Sequence, residues 1–447
     1  MGYKNKNQSV IIPLISFCLP LILSGMLQQL YNWADAFIIG NTVGELALGA
    51  VGATTSPINF FLTLMTGFTL GLSVLVAGKH GAGDSEDISQ ILSAFSLLAV
   101  GVFFCISLAG VLWAFPFMAL LHTPSDAIGQ AADYIRIIFI GFPFLAIYNV
   151  YAAVIRGIGD SRTPFFSILL SSVLNVALDL LFVIVFNLGV KGAAAATVLS
   201  QILMTVFVVV YAYKKHPLLR TAWGLRRFRH DIGKTWREGV RFGLPPMIQG
   251  CVISIGSLVL QNFMNGFGSQ TVIAITAAYR IDSLVLLPII NLGSGISTFT
   301  ANGYGARDRQ KISGTFRSGL LLACVVSVLL TVLVIPTGGK IIGLFGAGSN
   351  AVHIGTMFFL RLAAFYPVYG IATAFRGYLE GMGDLVYSSA AGILSLLVRI
   401  AASYLLVPYF GNMIIAYAEV ISWVVLMLLY LVRIRFVRRK NAALFAD

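Results

Sequence analysis

Two polar residues stand out in an otherwise apolar stretch of the sequence, SSVLNVALDLLF at residues 171–182. Asn175 and Asp179 are four residues apart, so a helix places both side chains on one face. An ionisable side chain inside hydrocarbon costs about 2.5 to 3.5 kcal/mol on insertion scales, and it therefore normally faces the interior of a helix bundle. Asp179 is our first candidate for an ion ligand.

Two further polar residues are predicted at the same depth as this pair. Asp35 lies in YNWADAFIIG, near the outer end of the first predicted membrane span, and Thr197 lies near the outer end of the sixth. The four side chains offer hard carboxylate, amide and hydroxyl oxygens, which suit Na⁺. Two crowded carboxylates disfavour each other's charge, so a proton competes with Na⁺. We therefore predict a site for H⁺ or Na⁺ at Asp35, Asn175, Asp179 and Thr197, with mutual hydrogen bonding as the structural alternative.

The composition places these residues in a membrane. Of the 447 residues, 58% are hydrophobic and 11% are charged, and the mean hydropathy is +0.89. These values exclude an ordinary soluble domain. The four cysteines lie singly in separate apolar runs, so we expect them to pack rather than to bind metal. The first apolar run is too long for a cleavable signal peptide, and we expect its helix to be retained.

Twelve apolar runs are long enough to cross about 30 Å of hydrocarbon. Lys and Arg concentrate on one side of these runs, including the basic stretch at residues 214–241, so we interpret the net charge of +13 as a topology signal and expect no nucleic-acid partner. By the positive-inside rule, both termini are cytoplasmic, in a multi-pass protein of the inner membrane. The predicted spans are residues 11–39, 46–78, 89–113, 129–155, 164–187, 192–213, 236–263, 269–301, 312–335, 354–379, 386–408 and 412–433.

The two halves of the sequence repeat at a shift of 224 residues, which places Asp84 on Asp308 and the GIGD of residues 157–160 on the GMGD of residues 381–384. Six spans per half is an even number, so both halves insert the same way up. We predict an all-α integral membrane protein with twelve transmembrane helices in two six-helix bundles, related by a pseudo-two-fold axis along the membrane normal. The bundles comprise residues 1–213 and 236–447, joined by a cytoplasmic basic linker at 214–235.

The second half differs from the first at the positions of the predicted ion site. Asn175 shifted by 224 residues becomes Arg399, and Thr197, after a two-residue gap, becomes Glu419. We predict an intramembrane ion pair between Arg399 and Glu419, in which the guanidinium takes the place of a bound cation. A purely structural pair is the alternative. Either interpretation assigns ion binding to the first half.

A substrate cavity between the two bundles is the remaining candidate site. Arg280 and Asp282 in the eighth span are two residues apart, so they point in different directions, and at least one is expected to face the cavity. Tyrosine and methionine side chains form apolar, adaptable pockets. The candidates for lining the cavity, each with packing in the core as its alternative, are Met26, Tyr31, Tyr148, Tyr279, Asp282 and Tyr366.

Together these features resemble the multidrug and toxic compound extrusion (MATE) family, bacterial branch, over essentially the whole chain. The resemblance rests on the twelve spans in two repeats, the NWADAFIIG around Asp35, the GxGD turns, and the arrangement of Asn175, Asp179 and Thr197. It implies a secondary antiporter, not an enzyme, that exports amphipathic, often cationic compounds in exchange for H⁺ or Na⁺, with the first-half cluster as the coupling site and no other cofactor. It also implies a monomer in contact with membrane lipids.

Some members of that family use acidic residues in spans seven and ten. Here the seventh span has no carboxylate between Gly239 and Phe263, and the tenth has only Glu380 at its inner end. The resemblance therefore does not extend to a second-half Na⁺ site of that kind.

Three other functions are alternatives. A flippase for lipid-linked precursors would need a strongly basic cavity, and we identify within the spans only Arg136, Arg280, Arg361 and Arg399. An intramembrane enzyme is disfavoured because no His lies in a span interior and no HExxH motif occurs. A passive channel remains open, although a two-bundle repeat with one asymmetric ion site fits alternating access better.

Overall fold

The computed structural model describes residues 10–219, 232–344, 346 and 348–440, and the long elements within these ranges are helices. The first half contains α1 (Ile11–Thr42), α2 (Glu45–Ala82), α3 (Ser85–Leu112), the short α4 (Ala114–Leu120), α5 (Ile128–Gly157), α6 (Arg162–Asp179) and α7 (Gly189–Lys215). The second half contains α8 (Ile232–Asn265), α9 (Ser269–Val285), α10 (Leu287–Gly305), α11 (Arg309–Leu344), α12 (Ser349–Leu362), α13 (Tyr366–Gly381), α14 (Leu385–Phe410) and α15 (Ile414–Lys440).

These helices account for all twelve predicted spans. By length and composition, 11 stretches of the described chain can cross a membrane, and the last of them, Leu385–Arg439, contains both α14 and α15. Large apolar side chains lie on the outside, among them Phe37 at 71% exposure and Tyr409 at 79%. Such a surface is unfavourable in water and favourable in lipid. The chain is an all-α, multi-pass membrane protein.

Two of the predicted spans are interrupted near a proline. Leu286 separates α9 from α10, and Pro288 lies in the first turn of α10. Between α12 and α13 the chain forms a 3₁₀ turn, Ala363–Phe365, and Pro367 lies in the first turn of α13. Proline is tolerated in a first turn because its missing N–H has no helical partner there. Pro20 and Pro143, in contrast, lie inside uninterrupted helices.

The fifth predicted span changes its helical geometry part-way. Directly after Asp179, α6 passes into a π-helical segment, Leu180–Val185, in which the Phe186 N–H donates to the carbonyl of Leu181 at 3.0 Å. The apolar pattern of this span predicts one ordinary helix, so the π-helical segment is a departure from that prediction. Short π-helical segments are rare, and they occur frequently at functional sites.

The described helices form two compact units. The N-terminal unit comprises Leu23–His80 and Asp84–Met247, and the C-terminal unit comprises Met1–Ile22, Gly81–Gly83 and Ile248–Asp447. The units therefore divide within α1 and within α8, outside the predicted linker at 214–235, of which residues 220–231 lie outside the described part of the chain.

Each unit has its own apolar core. In the N-terminal unit, buried side chains of α3, α5 and α7 pack together, with Phe95, Phe139 and Phe142 among the largest. In the C-terminal unit, Leu14 and Phe17 of α1 belong to a cluster with residues of α10, α11, α13, α14 and α15. This packing explains why the first part of α1 belongs to the C-terminal unit.

The repeat is visible in backbone contacts inside each unit. A Cβ built on Gly157 would lie 2.8 Å from the carbonyl oxygen of Ser73, and one built on Gly381 would lie 2.7 Å from the carbonyl oxygen of Ser297. Both members of the second pair are shifted by 224 residues from the first. Small residues of this kind let membrane helices approach closely. The two halves thus share the same helix contacts as well as the same spacing.

Candidate functional site

The four residues of the predicted ion site all belong to the N-terminal unit. Asp35 lies on α1, Asn175 and Asp179 lie in the last two turns of α6, and Thr197 lies on α7. Asp179 is 0% exposed and Asn175 is 2% exposed, whereas Asp35 and Thr197 are half-buried. Buried polar groups of this kind need hydrogen-bond partners or a bound ion, because water does not reach them to form hydrogen bonds.

One hydrogen-bond chain fixes the amide at this site. The Thr197 hydroxyl donates to the carbonyl oxygen of Ala193 at 3.1 Å, and the Asn175 amide Nδ2 donates to the Thr197 hydroxyl oxygen at 3.4 Å. The hydroxyl proton of Thr197 is thus used within α7, and the hydroxyl oxygen accepts the hydrogen bond from the Asn175 amide. Asn175 is consequently held with its Nδ2 toward Thr197, which leaves its carbonyl oxygen Oδ1 for another ligand.

Four oxygens at this site lack hydrogen-bond donors. Both carboxylate oxygens of Asp179, Oδ1 of Asp35 and Oδ1 of Asn175 are buried, and none accepts a hydrogen bond within the described part of the chain. Asp35 and Asp179 lie close enough for their charges to interact. A buried polar atom without a partner costs about 1 to 3 kcal/mol. Acceptors gathered without donors are complementary to a proton or a small cation.

Tyr134 on α5 is a site neighbour that the sequence analysis missed. Its side chain is buried at 6% exposure, and it interacts electrostatically with both Asp35 and Asp179. Its position in the sequence could have indicated this role, because Tyr134 lies near the outer end of the fourth predicted span, at the predicted depth of Asp35 and Asp179. The π-helical segment after Asp179 was also missed.

The predicted partners in the C-terminal unit are brought together. Arg399 Nη2 on α14 donates to Glu419 Oε2 on α15 at 2.9 Å and to the Tyr279 hydroxyl on α9 at 2.8 Å. The Arg399 side chain is 20% exposed and that of Glu419 is 10% exposed. A cavity of about 240 Å³ adjoins the pair, and its lining includes Tyr279, Arg399 and Glu419.

The other candidates for the substrate cavity are divided between buried and accessible positions. Asp282 is buried and accepts a hydrogen bond from the Tyr366 hydroxyl at 2.6 Å, whereas Arg280 is exposed. Tyr148 is also buried, with its hydroxyl 3.5 Å from the carbonyl oxygen of Pro164. The polar groups of Asp282, Tyr366 and Tyr148 therefore each have a hydrogen-bond partner inside the protein. The candidates with accessible side chains are Met26, Tyr31 and Tyr279.

A separate polar cluster lies at the GIGD turn between α5 and α6. Asp160 accepts hydrogen bonds from the Thr163 hydroxyl at 2.7 Å and from the Thr163 N–H at 3.1 Å, and His216 Nε2 lies 3.2 Å away. Burial alone would raise the pKa of Asp160, but the contacts with His216 and Thr163 and the nearby charge of Lys215 hold it well below its ordinary value. This carboxylate is satisfied as an anion.

Comparison with known proteins identifies the family. The sequence matches the MatE family at residues 20–181 and again at residues 245–405, one match in each half of the chain. The chain belongs to the MatE family. Its two matches follow the internal repeat, and together they cover more than half of the sequence.

Several curated relatives resemble this MatE protein over most of its length. It is 27% identical over 397 residues to the probable multidrug resistance protein YpnP of Bacillus subtilis (strain 168), covering 88% of this chain and 87% of the relative. It is 22% identical over 410 residues to the multidrug export protein MepA of Staphylococcus saprophyticus, covering 92% and 90%.

The fold of this MatE protein is also that of solved structures. An outward-facing multidrug resistance MATE family transporter of the MOP superfamily superimposes with a TM-score of 0.88 at 22% identity, covering 99% of this chain and 98% of the other. The likeness shows that the twelve-helix arrangement is shared.

Proposed function

We propose that this MatE protein is a secondary antiporter that exports amphipathic, often cationic compounds in exchange for H⁺ or Na⁺. The group of buried acceptor oxygens on Asp35, Asn175 and Asp179 carries the proposal, because no donor within the described part of the chain satisfies it. The descriptions of the relatives as multidrug resistance and multidrug export proteins support the class of exported compound.

The residues of the cluster have different tasks in this proposal. Asp179 and Asp35 supply the negative charge that attracts the ion, and their mutual repulsion is relieved when the ion binds. Asn175 supplies a neutral oxygen, held in place by Thr197. Burial of Asp179 strengthens these interactions, because little water competes for the carboxylate.

Coupling follows from a difference in affinity. An ion shifts a conformational equilibrium only if it binds one state more tightly than the other. Ion binding at Asp35 and Asp179 must therefore favour the state that releases the exported compound. Moving one charge across 100 mV contributes about 2.3 kcal/mol, so one net charge per cycle is sufficient for substantial accumulation.

The alternative function of a flippase is less well supported. Such a protein would need a surplus of positive charge for an anionic headgroup, yet Glu419 balances the charge of Arg399, and Arg361 donates to the Tyr417 hydroxyl. Arg376 is a further arginine inside the tenth span, absent from the four named above, and it too is paired, with Glu380 at 2.7 Å. Each of these half-buried arginines has an acceptor in the same unit.

The cellular setting is part of the same proposal. We place the chain in the inner membrane, as a monomer with both termini in the cytoplasm, on the basis of the positive-inside rule and the family resemblance. The terminal residues 1–9 and 441–447 lie outside the described part of the chain.

Dye efflux from proteoliposomes tests this function. Purified protein is reconstituted, a fluorescent cationic dye is loaded, and a pH gradient or a Na⁺ gradient is imposed separately. We expect one gradient to drive efflux in the wild type, and we expect Asp179→Asn and Asp35→Asn to abolish or uncouple that efflux.

The matched control is Asp126→Asn, which removes one exposed carboxylate outside the cluster. It should retain gradient-driven efflux. Wild-type coupled efflux in both Asp179→Asn and Asp35→Asn would refute the assignment of the ion site.

A further inference from the structure

The counterparts of the ion site in the second repeat form a different kind of site. Asn175, Asp179 and Thr197 correspond to Arg399, Ser403 and Glu419, and the one-residue slip that aligns Pro20 with Pro245 places Asp35 on Leu260. All four counterparts line the cavity of about 240 Å³ in the C-terminal unit. The repeat thus keeps the position of a binding site while changing its residues.

The cavity is too large for a single ion and suits a small organic group. Its volume is many times the space that one water molecule occupies. Leu260, Phe263, Met264 and Ile415 supply apolar walls, and Gln261 supplies a neutral polar group. A ligand here would have an apolar body beside a polar head.

The polar end of the cavity offers hydrogen-bond donors. The hydrogen bonds of the Arg399 guanidinium to described residues are confined to Nη2, which contacts Glu419 and Tyr279. Nε and Nη1 therefore have N–H groups available for an acceptor. A planar carboxylate matches such a pair of donors well.

The same end of the cavity also carries both signs of charge. Arg399 is the cation, and Glu419, which contacts it at 2.9 Å, is the anion. A simple anion at Arg399 would give the pair an excess of negative charge, and a simple cation at Glu419 would leave the guanidinium donors unmatched. Leaving one member of a buried pair uncompensated is strongly unfavourable.

We propose that this cavity binds a small zwitterion, with its carboxylate on Arg399, its protonated amine on Glu419 and an apolar side group against Leu260 and Ile415. An aromatic or branched α-amino acid has this chemistry. The site is distinct from the ion site, and it adds a substrate class to the proposed antiporter. Because the assay below measures binding alone, it gives an answer even if antiport fails.

Phenylalanine and two of its derivatives test whether the ligand must carry both charges. Binding of radiolabelled L-phenylalanine to the purified protein in lipid nanodiscs is measured in competition with unlabelled phenylalanine, its amide and its N-acetyl derivative. These compounds are a zwitterion, a cation and an anion around the same benzyl group. We expect saturable binding of phenylalanine, with each derivative weaker by about tenfold or more.

Variants connect this binding to the cavity. Arg399→Gln with Glu419→Gln removes both charges together and leaves no unpaired ion, and phenylalanine affinity should fall by about tenfold or more. Arg376→Gln with Glu380→Gln removes a pair of the same type outside the cavity lining and should leave the affinity unchanged. Leu260→Phe retains the ion pair but fills the cavity, and it should also block binding.

Folding of each variant is checked by gel filtration and thermal unfolding, and Leu260→Phe decides the outcome if the charge-neutral pair does not fold. The proposal is overturned by an absence of saturable phenylalanine binding. It is equally overturned if the amide or the N-acetyl form competes as well as phenylalanine, or if the folded cavity variants keep wild-type affinity.

Discussion

Three aspartates of this chain differ in how many hydrogen-bond donors each carboxylate contacts. Asp160 accepts bonds from Thr163 and contacts His216, Asp282 accepts one from Tyr366, and the oxygens of Asp179 accept none within the described residues. Donors stabilise the ionised form of a carboxylate, whereas a buried carboxylate without donors needs a proton or a cation. At the residue scale, this difference is why we propose Asp179 as the ion ligand.

Thr197 provides a conservative test at this scale. Thr197→Val removes the oxygen that receives the Asn175 amide, and loss of one such bond costs about 1 kcal/mol, or about fivefold in ion affinity. We expect the ion concentration for half-maximal efflux to rise by this factor, and we expect Thr197→Ser to restore it. An unchanged concentration dependence in the valine variant would show that the hydroxyl plays no part.

The pKa of Asp160 predicts a pH dependence of stability. Because this pKa is depressed in the folded state, the ionised group stabilises the fold above its unfolded value, about 3.9, and the contribution is lost as the pH falls toward the folded value. Asp160→Asn should lower the thermal midpoint at pH 7, and its difference from the wild type should shrink below about pH 4. A constant difference across this range would contradict the assignment, and Asp126→Asn serves as the exposed control.

At the scale of elements, glycine contacts set the distance between helices. A Cβ on Gly157 would meet the backbone of Ser73, and a Cβ on Gly381 would meet the backbone of Ser297. Since backbone atoms cannot rotate away as side chains can, the helices themselves would have to move. The same requirement recurs in both repeats.

We therefore expect Gly157→Ala and Gly381→Ala to destabilise the protein by about 1 to 3 kcal/mol each, as overpacking does. Gly129→Ala is the control, because a Cβ there meets no atom within 4 Å and alanine favours the helix. The measurement is the thermal midpoint in detergent. Midpoints at or above the wild-type value in both buried variants would show that the helix contacts are looser than described.

The elements were largely predictable from the sequence, because long apolar runs determine where helices cross a membrane. The ends of the helices were less predictable. For example, α11 continues through Pro336 to Leu344, beyond the predicted end of the span at residue 335. The π-helical turn after Asp179 was not predictable, since a change from i−4 to i−5 hydrogen bonding leaves no mark on an apolar pattern.

The candidate site could be predicted in part. Spacing alone indicates that Asn175 and Asp179 share one helix face, and the predicted spans place Thr197 at the same depth. Asn175 and Thr197 are hydrogen-bonded in the structure. Tyr134 was missed because an aromatic residue in a span is usually a packing residue. The bond between Asp282 and Tyr366 joins residues 84 positions apart, and local spacing holds no information on such a contact.

At the scale of the whole molecule, the two repeats share a fold but differ in chemistry. Asn175 and Asp179 give one repeat a cluster of oxygen acceptors, whereas Arg399 and Glu419 give the other an internal ion pair. Two equivalent folds with different sites suit a transporter in which an ion and a compound are handled separately. This division of tasks is compatible with the proposed antiport.

The orientation in the membrane yields a topology prediction. In a background with the native cysteines replaced by serine, Asp126→Cys should react with a membrane-impermeant maleimide added outside cells, and Asp84→Cys should not. The positive-inside rule places these two loops on opposite sides. The reverse labelling pattern would invert the orientation, and with it the direction of ion entry.

The most direct measurement counts the ions that leave the protein when a transported compound binds. A cationic dye is titrated into unbuffered purified protein while proton release is recorded, and the same titration is repeated with bound ²²Na⁺. Linkage requires that an ion favouring the releasing state be expelled by the compound. We predict release of H⁺ or Na⁺ from the wild type and none from Asp179→Asn; equal release from both proteins would contradict the assignment of the ion to Asp179.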